Sequence, residues 1–425
     1  MGAGGSVSDE VYGGRVVSLT RPRWGIERLG FERAQRQWMR DRAVEQEREI
    51  AAEGSDSFAA SLGSAPVDRP VHVVVVPQEG ADFGNNIAGT RNLYWEAGQR
   101  LAEILGPSSV STYLVARGTP APEWHRGLLD HLVTSAATHV ITHIESDPGS
   151  EGGVWTWDVP ARVLADSWDG TILGVMFDSA FPWITAKSRL LAQMSDRFLG
   201  VDICIPLSGE LVRGRPEVGP VNMPLSEASL TLVDARLQGV SPQWDVSFIG
   251  AMYPYRVELV ERLRAAGVSV AVNPHRADAA EDFTSSRSDQ PGWLDYMAGL
   301  GASRMTINFS RSSAGPIEQL KTRVLEATLA GTVLLTDDTD RTGRFWVEGQ
   351  EFVTFSSLDA VPDVVASLLA DPSRLEAIAG RARDRARGIA LSNFWSGIDR
   401  GLRQRQLRPV IGMSDDVDSE LWRST

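Results

Sequence analysis

Two glutamates eight positions apart, Glu318 and Glu326, are the residues whose type and spacing point most directly to chemistry. Lys321 lies between them. Carboxylates accept hydrogen bonds from hydroxyl groups and an ammonium group binds anions, so these three side chains suit a ligand that carries both. Glutamate is also common on exposed helix faces, so the spacing needs support from the elements around it.

The segment that holds them, residues 312–338, predicts a loop, a helix and a buried strand. Gly315 and Pro316 indicate a turn and a helix start, because the missing N–H of proline costs nothing at the first helical position. Gly331 ends the helix, and residues 332–336 predict a strand. If the helix includes the first glutamate, the two carboxylates lie about 12 Å apart along its axis.

A second segment, residues 245–272, predicts a strand, a tight turn, a helix and another strand. Such a βαβ unit requires a parallel sheet. The strand at residues 246–249 ends at Gly250, and the helix begins near Arg256. The N-terminus of that helix directs backbone N–H groups into the crevice at the carboxyl edge of the sheet, which suits a diphosphate.

Together with a strand at residues 306–309 and the segment 345–349, these patterns resemble the sugar-donor lobe of the group 1 glycosyltransferases of the GT-B fold. The basic residues just before Glu326 are similar to those of the spore-coat-protein branch of that superfamily. The resemblance covers about residues 245–390. It implies an α/β protein with two Rossmann-like, doubly wound lobes that face each other across a cleft.

The resemblance also implies roles for single residues. Glu326 would accept hydrogen bonds from the ribose of a UDP- or GDP-type sugar donor, and Glu318 would lie beside the transferred sugar. Arg256, Lys321 and the helix N-termini would stabilise the departing diphosphate, so neither a cofactor nor a catalytic metal is expected. Transfer with retention of configuration is implied by the family. The other predicted donor-binding residues are Gly250, Arg256, Gly315 and Lys321.

The first half of the chain predicts a second doubly wound sheet. Residues 71–76 are a nearly continuous apolar run, and strand and helix candidates alternate after it. The candidates are helices at residues 90–105 and 122–137 and strands at residues 111–115, 139–144, 172–177 and 201–205.

Acceptor-site candidates follow these strands, because parallel strands end at one edge of their sheet. Gly84 and Asn85 lie in the loop after the first strand, whose backbone N–H groups would face the phosphate or the acceptor. His143 and Asp178 lie at strand ends and are candidates for a general base or an acceptor contact, as is Glu145. An ordinary turn or capping role is the alternative for each.

Six segments are expected along the chain. The N-terminal extension contains an amphipathic helix at residues 30–52, which either packs on a lobe or mediates a homodimer. Three helices, at residues 358–369, 372–387 and 392–405, are predicted near the C-terminus. The segments are an extension (1–69), an acceptor lobe (70–220), a connection (221–244), a sugar-donor lobe (245–390), a C-terminal helix (391–408) and an acidic tail (409–425).

Charge and composition narrow the class of partner. The chain has 425 residues and a formal net charge of −13, which argues against nucleic acid and anionic membranes. No long apolar run and no signal-peptide core occur, and the single cysteine, Cys204, excludes an intrachain disulfide. We therefore expect a soluble cytoplasmic protein with a small soluble acceptor, such as a natural product, a nucleoside or a saccharide.

One motif points toward a metal and is discounted. Residues 338–340, Asp-Thr-Asp, have the spacing of the metal-binding Asp-x-Asp of single-lobed glycosyltransferases. Their position after the glutamate pair favours a turn with capping aspartates instead. His139 and His143 lie about 13 Å apart if they share a strand, which is too far for one zinc ion.

Two other functions remain open. A nucleotide-sugar epimerase of the same fold needs no acceptor, so it would convert the sugar donor when incubated with it alone. A non-catalytic binding or scaffold subunit would show no turnover with any donor. A nicotinamide oxidoreductase is disfavoured, because no Gly-x-Gly-x-x-Gly follows a strand.

Overall fold

The computed structural model describes residues 11–12, 15–16, 26–53, 69–77, 93–116, 118–148, 155–177, 179, 182–203, 218–219, 221–250, 252–273, 292–311, 318–339 and 341–412. Six residues that the sequence analysis names individually lie outside these ranges, and their predicted roles stay predictions. They are Gly84, Asn85, Asp178, Cys204, Gly315 and Pro316.

The N-terminal extension contributes a short strand pair and a long helix. β1 (Val11–Tyr12) pairs antiparallel with β2 (Arg15–Val16), and α1 spans Ile26–Glu53. Arg42 of α1 makes two hydrogen bonds of 2.8 Å to the fully buried carboxylate of Asp158. The predicted helix is thus present and packs on the first lobe, whereas a homodimer through its outer face stays a prediction.

The first lobe holds a five-stranded parallel sheet. Four of its strands are buried along their whole length, which explains their continuous apolar runs. The strands are β3 (Val73–Val76), β4 (Val110–Thr112), β5 (His139–His143), β6 (Thr171–Met176) and β7 (Phe198–Asp202). The helices that alternate with them are α2 (Leu93–Leu105), α3 (Ala121–Thr134), α4 (Asp158–Ser167) and α5 (Pro182–Met194).

The second lobe holds another five-stranded parallel sheet. Its strands are β8 (Trp244–Phe248), β9 (Val270–Val272), β10 (Ser303–Asn308), β11 (Val333–Thr336) and β12 (Val353–Thr354). Its helices are α6 (Glu227–Leu237), α7 (Pro254–Ala265), α8 (Trp293–Gly301), α9 (Thr322–Leu329), α10 (Val361–Leu369) and α11 (Pro372–Gln404).

Both sheets have the same strand order. The first runs β4-β3-β5-β6-β7 and the second β9-β8-β10-β11-β12. When each lobe's strands are counted in chain order, both read 2-1-3-4-5, which confirms two Rossmann-like, doubly wound lobes. The order reverses between β3 and β5 and between β8 and β10, and ligands of such sheets bind outside the carboxyl ends of the strands at this point.

Helices α2, α6 and α11 join the two lobes. Both carboxylate oxygens of the fully buried Glu96, on α2, accept hydrogen bonds at the start of α6, from Ser226 and Ser229, at 2.7 to 3.0 Å. Trp395 of α11 donates its indole N–H to the carbonyl oxygen of Ala97 at 3.2 Å. One apolar cluster continues through both lobes across this contact.

One expectation about the C-terminal helices is wrong, and the predicted connection contains a helix. The predicted connection at residues 221–244 contains helix α6, which starts at a Ser226 cap and belongs to the contact between the lobes. The two helices predicted at residues 372–387 and 392–405 form one helix, α11, because the first lobe supports its C-terminal half. The expected boundary at residue 391 therefore lies inside a helix. Among the described helices, none is long and apolar enough to cross a membrane.

Candidate active site

Gly250 lies after β8, at the point where the strand order of the second sheet reverses. Its φ of +134° lies in a region that residues with a side chain rarely adopt. The Gly250 N–H donates to the side-chain oxygen of Asn273, which follows β9, at 2.9 Å. The predicted glycine turn is therefore present, and its role in phosphate binding stays a prediction.

Arg256 lies in the first turn of α7, and its side chain is held among aromatic rings. The guanidinium carbon lies 4.5 Å from the ring centre of Tyr253 and 5.2 to 5.3 Å from those of Phe248, Tyr255 and Phe309. Its Nε donates to the Tyr255 hydroxyl at 2.9 Å. Burial lowers the pKa of Arg256. The rings fix a positive charge beside the strand ends through cation–π contacts.

Glu326 lies on α9 and is fully buried. Its Oε1 accepts a hydrogen bond from Trp293 Nε1 at 2.9 Å, and its Oε2 accepts one from the Tyr296 hydroxyl at 3.0 Å. Burial raises the pKa of Glu326 to about 7, against the opposing effect of these hydrogen bonds. Each carboxylate oxygen has a further lone pair. Helix α8 thus orients the carboxylate, and ribose binding by Glu326 stays a prediction.

The expectation that Glu318 shares a helix with Glu326 is wrong. Glu318 forms an antiparallel bridge with Arg311, and the next residue, Gln319, donates its N–H to the Ser310 carbonyl at 2.8 Å. This pairing with the end of β10 overrides the helix-start preference of the preceding Pro316, so α9 begins only at Thr322. The predicted separation of about 12 Å between the two carboxylates assumed one continuous helix, so it does not apply.

Glu318 is partly buried and lies near the charged side chains of Asp337, Arg311 and Lys321. Burial raises the pKa of Glu318, and the nearby Asp337 raises it further. The Oε2 atom of Glu318 is buried and has no hydrogen-bond partner in the described part of the chain. Asp337, which follows β11, accepts hydrogen bonds from the backbone and hydroxyl of Ser310. Glu318 therefore lies at the carboxyl edge of the sheet, as a contact with a transferred sugar requires.

Lys321 is the cap residue at the N-terminus of α9. Its backbone is extended, and its Nζ donates to the side-chain oxygen of Gln319 at 2.7 Å. The ammonium group and the positive end of the helix dipole therefore lie at the same end of α9. This arrangement favours an anion at the carboxyl edge, which is where the sequence placed the diphosphate.

Asp338 belongs to a turn after β11. Its φ is +53°, and its carboxylate accepts a hydrogen bond from the Gly343 N–H at 3.0 Å, within a short 3₁₀ turn at residues 342–344. The turn interpretation is confirmed for Asp338, whereas Asp340 lies outside the described residues. Among described side chains there is no group of three or more His, Cys, Asp or Glu that suits a metal ion.

Arg323 is a residue of this site that the sequence interpretation did not single out. A Cβ atom built on Gly250 would lie 3.0 Å from Arg323 Nη2, so the guanidinium lies directly against the glycine backbone. Its guanidinium carbon is 5.6 Å from the ring centre of Phe248. In the sequence, only its position one helical turn before Glu326 could have indicated a role for Arg323, because its contact with Gly250 forms when distant parts of the chain come together.

In the first lobe, His143 is the last residue of β5 and Glu145 follows it, where the strand order reverses. His143 is buried, and burial together with the charge of Lys187 lowers its pKa to about 3, so the ring stays neutral at physiological pH. Its Nε2 lies 3.9 Å from Glu145 Oε2. Glu145 Oε1 accepts the Phe177 N–H at 2.6 Å, and the Glu145 carbonyl accepts a hydrogen bond from Lys187. Glu145 is the more exposed of the two candidate bases.

Residues 256–388 match the model of the glycosyl transferase-like family. The match includes Arg256, Glu318, Lys321 and Glu326 and runs from α7 into α11. It confirms the predicted glycosyltransferase resemblance over these residues of the second lobe. A search of curated proteins gave no match.

Several solved structures of glycosyltransferases are similar to the chain. Sucrose-phosphate synthase from Thermosynechococcus elongatus is 13% identical, with a TM-score of 0.45 over 79% of this chain and 99% of that chain. AviGT4, a glycosyltransferase involved in avilamycin A biosynthesis, is 16% identical, with a TM-score of 0.42 over 81% and 99%. Anabaena Alr3699/HepE in complex with UDP and glucose is 12% identical, with a TM-score of 0.46 over 79% and 100%. The fold assignment rests on the order of the two sheets.

Proposed function

We propose that the chain is a glycosyltransferase that moves a sugar from a UDP- or GDP-type nucleotide sugar to a small soluble acceptor, with retention of configuration and without a metal. The second lobe binds the sugar donor and the first lobe binds the acceptor. A cytoplasmic role in natural product biosynthesis is part of the same proposal, since the acidic chain is unsuited to an anionic membrane.

One observation carries this proposal. Within the lobe that matches the glycosyl transferase-like family, Gly250, Arg256 and Arg323 lie together where the strand order reverses. The N-terminus of α9 with Lys321 lies on the same edge. Positive groups and a glycine turn at this point of a doubly wound sheet suit a diphosphate.

These groups suit the charge that develops during sugar transfer. The bond between the anomeric carbon and the β-phosphate oxygen breaks, and its electron pair stays on the diphosphate. The acceptor hydroxyl oxygen bonds to the anomeric carbon, and its proton passes to the departing phosphate oxygen. Arg256 and Lys321 would stabilise the negative charge on that leaving group. Because attack from the face of the departing phosphate lets that phosphate take the proton, a separate base is not obligatory.

The acceptor would lie against the first lobe, near the carboxyl ends of β3 and β5. His143 and Glu145 lie at this edge, and the segments that contain Gly84, Asn85 and Asp178 follow β3 and β6 in the chain. The neutral, buried His143 suits a hydrogen bond better than a charged contact. The half-buried Glu145 is the group best suited to accept a hydrogen bond from an acceptor hydroxyl and so to orient it for attack.

Thermal-shift screening against a panel of UDP-, GDP-, ADP- and TDP-sugars tests the donor class, because a ligand that binds only the folded state raises its apparent stability. Chromatography of nucleotide release then compares each stabilising donor with and without candidate acceptors. Acceptor-dependent release of nucleoside diphosphate is expected. Conversion of the sugar donor alone into an epimer would replace the proposal by an epimerase. No release with any donor would leave a binding subunit.

A further inference from the structure

Arg323 and Gly250 are in direct contact although they are 73 positions apart in the chain. Two features of this contact favour a glycine. The φ of Gly250 is +134°, and a Cβ atom there would come within 3.0 Å of Arg323 Nη2, which is closer than nine in ten real contacts of that kind. The absence of a side chain at Gly250 therefore lets the guanidinium approach the backbone.

The guanidinium of Arg323 makes a hydrogen bond with the Tyr296 side chain and lies near the charge of Glu326, but it keeps one N–H available. It lies over the Phe248 ring, and its Nε atom is buried without a hydrogen-bond partner in the described ranges. A buried N–H of a charged group gains more than an exposed one from an anionic acceptor. Glu326, one helical turn away, already receives hydrogen bonds from Trp293 and Tyr296.

A second guanidinium lies on the same ring. The Arg256 carbon is 5.3 Å and the Arg323 carbon 5.6 Å from the ring centre of Phe248. The positive charge of Arg323 adds to the burial that lowers the pKa of Arg256, so the two charges disfavour each other. Lys321 adds a third positive group at the start of the helix that carries Arg323. A bound anion would relieve this repulsion.

We propose that Arg323, which lies against Gly250, binds the diphosphate of the sugar donor by direct contact, beside Lys321 at the start of the same helix. The inference rests on the proposed function. Four aromatic rings surround Arg256, so this residue supplies a fixed positive charge near the diphosphate. Arg323 lies against Gly250 and has a buried Nε–H available for a hydrogen bond to the diphosphate.

Isothermal titration calorimetry with four probes tests this inference, namely inorganic pyrophosphate, UDP, GDP and uridine. The variants are Arg323→Gln and Arg323→Lys. The glutamine variant keeps a polar but shorter side chain and loses the charge, and the lysine variant keeps the charge but loses the planar guanidinium. We expect Arg323→Gln to weaken pyrophosphate and the preferred nucleoside diphosphate by about tenfold to a hundredfold, with uridine binding unchanged. Arg323→Lys should recover part of the loss.

A second variant approaches the same contact from the backbone. Gly250→Ala should displace the guanidinium and weaken pyrophosphate in the same direction. Gly267→Ala is its matched control, because Gly267 has a φ of +83° but no atom within 4 Å of an added Cβ. Arg304→Gln is the matched arginine control, since Arg304 begins β10 at the opposite edge of the sheet and is exposed. Both controls should bind all four probes as the parent chain does.

The outcomes separate this inference from the proposed function. Unchanged pyrophosphate affinity in Arg323→Gln, or an equal loss for uridine, overturns the role of Arg323 while acceptor-dependent turnover still stands. If the parent chain binds neither pyrophosphate nor either diphosphate, the inference is also overturned. If pyrophosphate binding depends on Arg323 but no nucleotide sugar is turned over, the anion site stands and the proposed function falls.

Discussion

Trp293 Nε1 lies 2.9 Å from Glu326 Oε1 and holds one oxygen of a carboxylate that is fully buried. The residue that the sequence assigned to the ribose is therefore also part of the packing between α8 and α9. Removing it would affect both the binding of a nucleotide and the stability of the lobe. Variants that separate the two effects are needed.

Glu326→Gln should weaken the binding of both uridine and UDP, because both contain the ribose. If the chain prefers GDP, the same loss is expected for guanosine and GDP. The amide of the variant would also place an N–H against one of the two present donors, at a cost of about 1–3 kcal/mol in the free energy of unfolding. Calorimetry and chemical denaturation measure the two effects. Glu376→Gln, on the exposed face of α11, is the control. Unchanged affinity for every nucleoside and nucleotide would reject the ribose assignment.

The stability of the chain should depend on pH through Glu326. Its pKa is raised from the ordinary 4.5 to about 7, so the folded state holds a proton that the unfolded chain releases between these values. The contribution of this proton to the free energy of unfolding is fully present below pH 4.5. It is lost as the pH rises toward 7, and the free energy of unfolding then no longer changes through Glu326. The change is up to about 3 kcal/mol. Denaturation of the parent chain and of Glu326→Gln across this range should diverge, and parallel curves would contradict the shift.

Turnover should persist in EDTA, because Arg256, Lys321 and the start of α9 supply the positive charge. Lys321→Ala should slow turnover by about a hundredfold or more through loss of leaving-group stabilisation. Asp338→Asn should have little effect, since its carboxylate accepts backbone N–H groups in a turn. Loss of activity in EDTA that manganese or magnesium restores would bring back the metal interpretation of residues 338–340.

Parts of the fold followed from the sequence because parallel strands buried on both faces need continuous apolar runs, as in β3 and β6. The turn at Gly250 was predicted for a similar reason, since few residues adopt its φ. The start of α9 was not predicted, because pairing of Glu318 with Arg311 decides it. The contact of Arg323 with Gly250 joins distant parts of the chain, so no local pattern could indicate it.

Glu145→Gln should reduce transfer to acceptor by about a hundredfold while slow hydrolysis of the sugar donor changes little, as expected for a group that orients the acceptor hydroxyl. Glu123→Gln, on an exposed position of α3, is the control. His143→Ala should act in the same direction. No pH–rate break near the ordinary 6.5 should arise from His143, because its pKa is lowered to about 3. Equal loss of transfer and hydrolysis would remove Glu145 from the acceptor site.

Arg42→Ala should lower the free energy of unfolding by about 3–5 kcal/mol, because it leaves the Asp158 carboxylate buried without its paired charge. The double variant Arg42→Met with Asp158→Leu should recover most of the loss. Arg40→Ala is the control, since Arg40 is exposed and bonds only to Gln37 among the contacts described for it. A small effect of Arg42→Ala in denaturant melts would mean that α1 does not stabilise the first lobe.

Glu96 belongs to the first lobe by position, yet its carboxylate completes the start of a helix of the second. A fragment restricted to residues 221–412 would lose that cap, and the indole N–H of Trp395 would lose its hydrogen-bond acceptor. The apolar side of α11 would also be exposed to water. This fragment should therefore be insoluble when excised, whatever ligand is added. Two fragments expressed together and divided before Val221 should instead reassemble, because the surface that each fragment exposes is the one the other buries.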